Sequence, residues 1–380
     1  MLTTLAVAGY RSLVDVVVPL HPLTVVTGAN GTGKSNLYRA LRLLAAAGHG
    51  RAVSAIAREG GLDSVLWAGP ETPQGAGAQG TVRTRPVSVR LGVAADELGY
   101  ILDLGLPQSD GRSLFARDPE IKREQVFSGP FPRPGTLLID RQRGGVRVRG
   151  DDGWTSLTQM MGPGQSVLLD LADGTAVWET VSLRQRLASW RFYDHFRTDA
   201  DAPARAPRIG TRTRWLSDDG ADVAAVWATT VEAGRGAPLD AAVDRAFPGS
   251  RVTVAASDGG FRVQLQQPGL LRPLDAAELS DGTLRFLLWC AALLPADPPP
   301  LLVVNEPEAS LHESLIEPLG ALLVDAAAQT QVIVVTHSPA LRAVLSESGG
   351  EVIELESNGF GTRVRDQLPL ERPSWHWPSR

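Results

Sequence analysis

A glycine-rich segment near the N-terminus, residues 28–35, has the composition of a phosphate-binding loop. It reads Gly-Ala-Asn-Gly-Thr-Gly-Lys-Ser and fits the pattern G-x-x-x-x-G-K-S/T in full. In such a loop, backbone N–H groups surround a phosphate, the lysine reaches the β and γ phosphates of ATP, and the serine binds Mg²⁺. A glycine turn that merely enters a helix is the simpler alternative. The predicted nucleotide-binding residues of this segment are Asn30, Gly31, Thr32, Gly33, Lys34, Ser35 and Asn36, with Ser35 also a metal ligand and Lys34 also catalytic.

A second candidate for chemistry is the acidic end of a short apolar run near the C-terminus. Residues 301–304 are Leu-Leu-Val-Val, and Asn305, Glu306, Pro307 and Glu308 follow. Carboxylates at a strand end can hold a metal shell and deprotonate an attacking water. We predict that Asn305 lies in the Mg²⁺ shell and that Glu306 is the general base. The alternative assigns the metal to Glu306 and the base to Glu308.

Two short segments flank this acidic run. Leu-Ser-Asp-Gly-Thr at residues 279–283 precedes it, and Val-Val-Thr-His-Ser at residues 334–338 follows it. Each has an ordinary explanation when it is taken alone. Ser280 could simply cap the helix that follows it, and His337 could be a histidine at the end of a strand. Their order and spacing relative to the glycine-rich loop favour a shared site.

In this combination the chain resembles the ABC-type ATPases, in which the first segment is usually written LSGGQ and the second carries a switch histidine. The details resemble the SMC/RecF/OLD-like branch, because Gly-Lys-Ser-Asn follows an N-terminal strand pair and Glu-Pro-Glu ends the acidic strand. Ser310-Leu311-His312 stands where transporters usually carry Ala-Leu-Asp. The resemblance covers about residues 1–47 and 272–340.

The resemblance implies ATP and Mg²⁺ as ligands and a second copy of the chain as a partner. ATP held by one copy would be covered by Ser280 and Gly282 of the other, and His337 would sense the γ-phosphate. Two departures from the family pattern matter, since Asn305 replaces the usual Asp and Asp281 replaces a Gly of the signature. Gln74 and Gln125 are the candidates for the Q-loop glutamine.

The elements predicted around these residues alternate between strands and helices at both ends of the chain. Continuous Val, Leu and Ile runs indicate parallel strands that are covered on both faces. We therefore predict an α/β fold, a P-loop ABC-ATPase head with a mixed sheet, built from residues 1–50 and 272–380. Residues 51–271 form an inserted β-rich and helical lobe that in part continues the head, with no long coiled coil.

Composition restricts the class of protein further. The formal net charge is −5, and Cys290 is the only cysteine, so an intramolecular disulfide is excluded. The N-terminus does not resemble a signal peptide, and the longest apolar run, residues 286–294, is too short to span a membrane. We expect a cytoplasmic protein with no membrane partner.

Two groups of arginines suggest either contacts with DNA phosphates or a solvated surface, and the sequence favours neither. They are Arg141, Arg143, Arg147 and Arg149, and Arg205, Arg208, Arg212 and Arg214.

The predicted function is an ATP-gated, DNA-associated clamp or motor in repair or anti-phage defence. OLD-type relatives carry a C-terminal nuclease domain, but this chain ends soon after His337, so we expect a nuclease or other effector to be a separate protein. The rival hypothesis is a nucleotide switch that dimerises on ATP and scarcely hydrolyses it. A transporter subunit is a weaker third hypothesis, because the long insertion and the Ser-Leu-His segment count against it.

Overall fold

The computed structural model describes residues 1–70, 88–107, 114–115, 117–158, 160–171, 178–257 and 260–379. In chain order its strands are β1 (Leu2–Tyr10), β2 (Leu13–Pro19), β3 (Leu23–Gly28), β4 (Val89–Ala95), β5 (Leu98–Gly105), β6 (Glu120–Ser128), β7 (Leu137–Gln142), β8 (Gly145–Gly150), β9 (Gly153–Ser156), β10 (Arg191–Tyr193), β11 (Arg251–Ser257), β12 (Gly260–Gln266), β13 (Leu274–Asp275), β14 (Leu301–Asn305), β15 (Gln331–Val335), β16 (Glu351–Ser357) and β17 (Thr362–Val364). The α-helices are α1 (Lys34–Gly48), α2 (Ala52–Arg58), α3 (Leu62–Val65), α4 (Val167–Asp170), α5 (Trp178–Ala188), α6 (Val223–Glu232), α7 (Gly236–Ala246), α8 (Asp281–Leu293), α9 (Ile316–Ala327) and α10 (Pro339–Glu347).

The chain divides into two compact units. The first unit contains Met1–His21, Thr27–Trp190 and Ile353–Arg380, and the second contains Pro22–Val26 and Arg191–Val352. Strands β3 and β16 each begin in the second unit and end in the first. These units are defined by compactness, so the division into an ATPase core and an inserted lobe remains a prediction.

The first unit is built on an antiparallel sheet with the strand order β2-β1-β4-β5-β6-β7-β8-β9. Strand β1 pairs with β2 on one side and with β4 on the other, and the side chains of Leu5 and Val7 are fully buried. Helix α1 buries an apolar stripe that includes Leu37, Leu41 and Leu44. Because these residues recur at helical spacing, the stripe fixes which face of α1 packs inward.

The second unit contains parallel pairs between β10 and β14, between β14 and β15, and between β15 and the start of β3. The four residues of the run Leu301–Val304 are fully buried, as continuous apolar parallel strands require. Around them lies a core that includes Trp227, Phe286 and Trp289. A small antiparallel sheet, β11-β12-β13, completes the unit.

The predicted α/β fold with mixed strand pairing is confirmed. The longest helix among the described residues is α1, at 15 residues, which agrees with the expected lack of a long coiled coil. Strands β7 and β8 form a hairpin with Arg143 and Gly144 at its turn. None of the helices that the structure describes combines the length and the apolar character that crossing a membrane requires.

Candidate nucleotide-binding site

The glycine-rich loop lies in the first unit, between the end of β3 and the start of α1. Gly28, Gly31 and Gly33 have φ angles of 145°, 79° and 101°, which side-chain-bearing residues rarely adopt. A Cβ on Gly28 would lie 2.2 Å from the carbonyl oxygen of Leu355, so this position also lacks space for one. The glycines are therefore needed for the backbone path of the loop.

Two residues distant in sequence brace this loop. The Thr362 hydroxyl donates to the carbonyl oxygen of Thr32 over 2.8 Å and lies 2.8 Å from the Ser12 hydroxyl. The Asn36 amide donates to the same Ser12 hydroxyl over 2.9 Å. A Cβ on Gly33 would lie 2.2 Å from Thr362 Oγ1 and 2.8 Å from Ser12 Oγ. The sequence interpretation missed Ser12 and Thr362, and it assigned Asn36 to the nucleotide alone.

Lys34 is buried, and its ammonium group is held by its own loop. Its Nζ donates to the carbonyl oxygens of Gly28 and Ala29 over 2.7 and 3.0 Å. Helix α1 has no side-chain cap at its N-terminus and no acidic residue in its first turn, so its first N–H groups keep their affinity for an anion. Asn30, Gly31 and Ser35 are exposed beside this positive end of the helix.

Gly33→Ala should weaken nucleotide binding. A residue with a Cβ at this φ costs about 1–3 kcal/mol, so we expect the Kd for ATP to rise roughly 5- to 150-fold. The measurement is a titration with a fluorescent ATP analogue. Gly349→Ala is the control. Gly349 also has a positive φ, 86°, and no atom lies within 4 Å of a Cβ placed on it, but it lies in the turn that follows α10 and not in the glycine-rich loop. Equal ATP affinity in wild type and Gly33→Ala would contradict the role given to this loop.

In the second unit, the acidic residues follow β14 as predicted. The backbone N–H of Glu306 donates to the carbonyl oxygen of Val335 on the neighbouring strand over 2.7 Å, and Glu306 has a φ of 50°. A non-glycine residue in this conformation is strained and persists where its surroundings fix it. The Glu306 side chain is 41% exposed, and its Oε1 lies 3.5 Å from Nδ1 of His337, which is 54% exposed. The structure thus brings together the predicted base and the predicted sensor.

Glu308 has a different environment from Glu306. It is buried, and its Oε1 accepts from the Thr336 hydroxyl over 2.5 Å and from the backbone N–H groups of His337 and Ser338 over 3.3 and 3.2 Å. Ser338 in turn caps α10 by accepting from the N–H of Leu341. Glu308 therefore holds the turn that carries His337.

Two buried oxygens in this region have no hydrogen-bond partner among the described residues, Oδ1 of Asn305 and Oε2 of Glu308. Leaving a buried acceptor unsatisfied is costly, and Mg²⁺ prefers oxygen ligands, directly or through its bound waters. The two oxygens, at the end of β14 and just after it, therefore fit a hydrated Mg²⁺. Asn305 can supply an amide oxygen to that shell, although it carries no charge to balance the dication.

The predicted signature segment lies at the start of α8. Ser280 is the N-cap residue, and its hydroxyl accepts from the N–H of Thr283 over 3.2 Å, so this serine has the ordinary role of a helix cap. Ser280 is nevertheless exposed, and no atom lies within 4 Å of a Cβ placed on Gly282. This segment presents an open surface that a capping role alone does not require.

No contact described for the Q-loop candidate Gln125 brings it to the site. Gln125 lies buried in β6, where its side-chain amide donates to Asp140 over 2.9 Å. Gln74 lies outside the described residues.

The first arginine cluster is only partly available to a ligand. The Arg141 side chain is fully buried and pairs with Glu124 at 3.2 Å, so neither of the two alternatives, a DNA contact or a solvated surface, holds for this residue. Arg147 pairs with the buried Asp140 at 2.7 Å, and Arg149 donates to the carbonyl oxygen of Gly135 over 2.6 Å. Arg141 pairs with Val146 across the hairpin, so it points to the face opposite that of Arg147 and Arg149, which lie two residues apart on β8 and share one face.

The second cluster is also largely engaged in contacts. Arg205 is only 10% exposed, and it donates to backbone carbonyls and to Asp281, so neither a DNA contact nor a solvated surface describes this residue. Arg212 pairs with Glu232 at 3.1 Å, and Arg214 pairs with Asp297 at 2.5 Å. Arg208 is exposed.

Comparison with solved structures shows the fold. An SmcHead bound to the C-winged helix domain of ScpA aligns with a TM-score of 0.50 at 14% identity, covering 96% of both chains. The SMC head domain from Thermotoga maritima aligns with a TM-score of 0.45 at 15% identity over 96% of this chain and 97% of that one. The Smc head domain with an extended coiled coil bound to the C-terminal domain of ScpA, from Pyrococcus furiosus, gives 0.49 at 12% identity over 96% and 95%. At such identities the first likeness shows the fold alone, that of an SMC head.

Comparison with protein families shows the affiliation. No curated protein matches the chain. A family model described as "AAA domain, putative AbiEii toxin, Type IV TA system" matches residues 23–343, which include the glycine-rich loop, the acidic strand end and His337. The match agrees with the predicted resemblance to ABC-type ATPases of the SMC/RecF/OLD-like branch. The chain belongs to the AAA domain, putative AbiEii toxin, Type IV TA system family.

Proposed function

We propose that the protein binds and hydrolyses ATP and that two copies close around two ATP molecules. The observation that carries the proposal is the glycine-rich loop, which holds the buried ammonium group of Lys34 beside an uncapped helix N-terminus. On binding, Lys34 would exchange two carbonyl oxygens for β and γ phosphate oxygens, which are charged and so stronger acceptors. The N–H groups of residues 31–36 would hold the phosphates.

We assign the proton transfer to Glu306. Its carboxylate is half-exposed and therefore accessible to water, whereas Oε1 of Glu308 already accepts three hydrogen bonds. Glu306 would take the proton of the attacking water, and His337, 3.5 Å from it, would contact the γ-phosphate. Bound Mg²⁺, held by Ser35 and through the oxygen of Asn305, would offset the charge of the phosphates.

The rival function is a switch that binds ATP, dimerises and turns over slowly. The observation that favours it is the neutral amide of Asn305 at a strand end where relatives of this branch usually carry a carboxylate. Phosphate release measured against Mg²⁺ concentration decides between the two functions. Saturating turnover at millimolar Mg²⁺ supports the ATPase, and ATP binding without turnover at any Mg²⁺ concentration supports the switch.

The finer proposal is a DNA-associated clamp or motor in repair or anti-phage defence, with a separate effector such as a nuclease. Of the first arginine cluster, Arg143, Arg147 and Arg149 are exposed. Arg147 and Arg149 lie over the Trp154 ring at 4.7 and 5.3 Å, and Arg147 is also paired with the buried Asp140. Exposed arginines next to an aromatic ring can contact phosphates and stack on bases. The hairpin β7-β8 together with β9 is therefore the surface that we assign to DNA.

Replacing Arg143 and Arg149 with Ala should weaken DNA binding about equally across sequences and flatten its salt dependence, because two phosphate contacts are lost. The measurement is fluorescence anisotropy with labelled DNA at several salt concentrations. The control replaces Arg197 and Arg365, which are 58% and 52% exposed, and changes the net charge by the same amount. Wild-type protein with no DNA affinity at low salt would remove the DNA proposal and leave the ATPase proposal standing.

A further inference from the structure

In the second unit, the guanidinium of Arg205 binds several residues in and just before the signature segment, residues 279–283. The Nη1 of Arg205 donates to the carbonyl oxygens of Ala276 and Leu279 over 2.9 and 2.8 Å, and its Nη2 donates to Oδ1 of Asp281 over 2.7 Å. Its Nε donates to the carbonyl oxygen of Thr198 over 2.9 Å. The side chain is 10% exposed, so these contacts are made largely out of solvent.

The position of Ser280 depends on these contacts. Its two neighbours in sequence, Leu279 and Asp281, are both bound by Arg205, one through its backbone and one through its side chain. The backbone of Ser280 therefore has little freedom, although the residue itself is exposed. A planar guanidinium can bind several acceptors in fixed directions, which a lysine ammonium cannot do in the same geometry.

The ion pair between Arg205 and Asp281 also has an electrostatic consequence. It is the first residue of α8 and 64% exposed, so its charge lies at a surface that the proposed function brings against phosphates. An unpaired carboxylate there would repel ATP, whereas the ion pair with Arg205 offsets that charge. The pair thus explains how the chain can carry Asp281 where the signature of its relatives has a glycine.

We propose that Arg205 is a positioning residue that presents Ser280 and Gly282 to the ATP held by the second copy. The inference rests on the proposed function, because it concerns the surface that would cover the nucleotide. Arg205 itself does not contact ATP in this proposal. It acts through the backbone of the segment and through the charge of Asp281.

The proposal predicts that ATP binding and dimerisation respond differently to changes at Arg205. Arg205 does not contact the nucleotide in this proposal, so ATP affinity of the single copy should stay within about twofold of wild type. Arg205→Lys keeps the positive charge but loses the planar guanidinium and its fixed set of donors. We therefore expect the Kd of the ATP-dependent dimer to rise at least tenfold. Arg205→Ala should weaken it further.

The experiment uses the full chain with Glu306→Gln, so that ATP is not consumed, and measures two quantities for each variant. A fluorescent ATP analogue gives the Kd of the single copy, and light scattering against protein concentration gives the dimer Kd with ATP and Mg²⁺. Arg245→Lys is the matched control, because Arg245 binds Asp325 with two nitrogens in the same unit but away from the signature segment. Its dimer Kd should match the unmodified background.

Hydrogen exchange of the amides of residues 280–284 without nucleotide provides a second readout, and Arg205→Lys should speed it. An unchanged dimer Kd in Arg205→Lys would overturn the inference alone. A parallel loss of ATP affinity in the same variant would also overturn it, since general damage and not positioning would then be the cause. No ATP binding by the unmodified protein would instead remove the proposed function and this inference together.

Discussion

Lys34→Ala is expected to raise the Kd for ATP by at least about a hundredfold. The side chain would make charge-assisted hydrogen bonds to two phosphates, each worth about 1.5–3 kcal/mol, and the loop offers no other ammonium group. Among the described residues, its ammonium group donates to Gly28 and Ala29, whose carbonyl oxygens water can reach once the side chain is gone. The fold should therefore survive the substitution, and circular dichroism would check this.

The sequence offers a matched control for this prediction, because the chain contains just one other lysine, Lys122. Lys122 lies on β6 in the same unit and pairs with Glu120 at 2.5 Å. Lys122→Ala removes the same charge and should leave ATP affinity unchanged. If isothermal titration gave the same ATP affinity for Lys34→Ala and wild type, the glycine-rich loop would not be the phosphate site.

Glu306→Gln is expected to lower kcat for ATP hydrolysis by about 10²–10⁴-fold and to leave ATP affinity intact. Glutamine has the size of glutamate, so the strained backbone at φ 50° and the hydrogen bond to Val335 can persist. What is lost is the ability to accept the proton of the attacking water. Single-turnover hydrolysis in parallel with ATP binding separates the two effects.

Glu308→Gln is the comparison that assigns the carboxylates. The amide oxygen of glutamine can replace Oε1 as the acceptor for Thr336, His337 and Ser338, so we expect this variant to retain most of its activity. An inactive Glu308→Gln together with an active Glu306→Gln would reverse the assignment and make Glu308 the base.

The sequence predicted the features that depend on local patterns. The motif around Lys34 and the apolar run before Asn305 each need only a few consecutive residues, and the structure has a loop and a buried strand at these positions. The alternation of strands and helices at both ends of the chain predicted the α/β fold. Such local patterns are predictive because the backbone conformation of a glycine and the burial of an apolar strand depend on the residues at those positions themselves.

The features that the sequence did not predict depend on distant residues or on burial. Thr362 donates to Thr32 of the loop although the two residues are 330 positions apart in the sequence, and no local pattern indicates such a contact. Arg141 and Arg205 were grouped with surface arginines, because sequence spacing does not show which side chain is buried against Glu124 or against a turn of backbone carbonyls. The same limit applies to Glu308, whose burial distinguishes it from Glu306.

The measurement that tests the central claim most directly is the mass of the Glu306→Gln protein by light scattering with and without ATP and Mg²⁺. One chain has a mass of 40.5 kDa. We predict this mass without nucleotide and twice this mass with ATP, because Ser280 and Gly282 of each copy would then cover the ATP of the other. A mass that stays at 40.5 kDa while ATP is demonstrably bound would contradict the two-copy site.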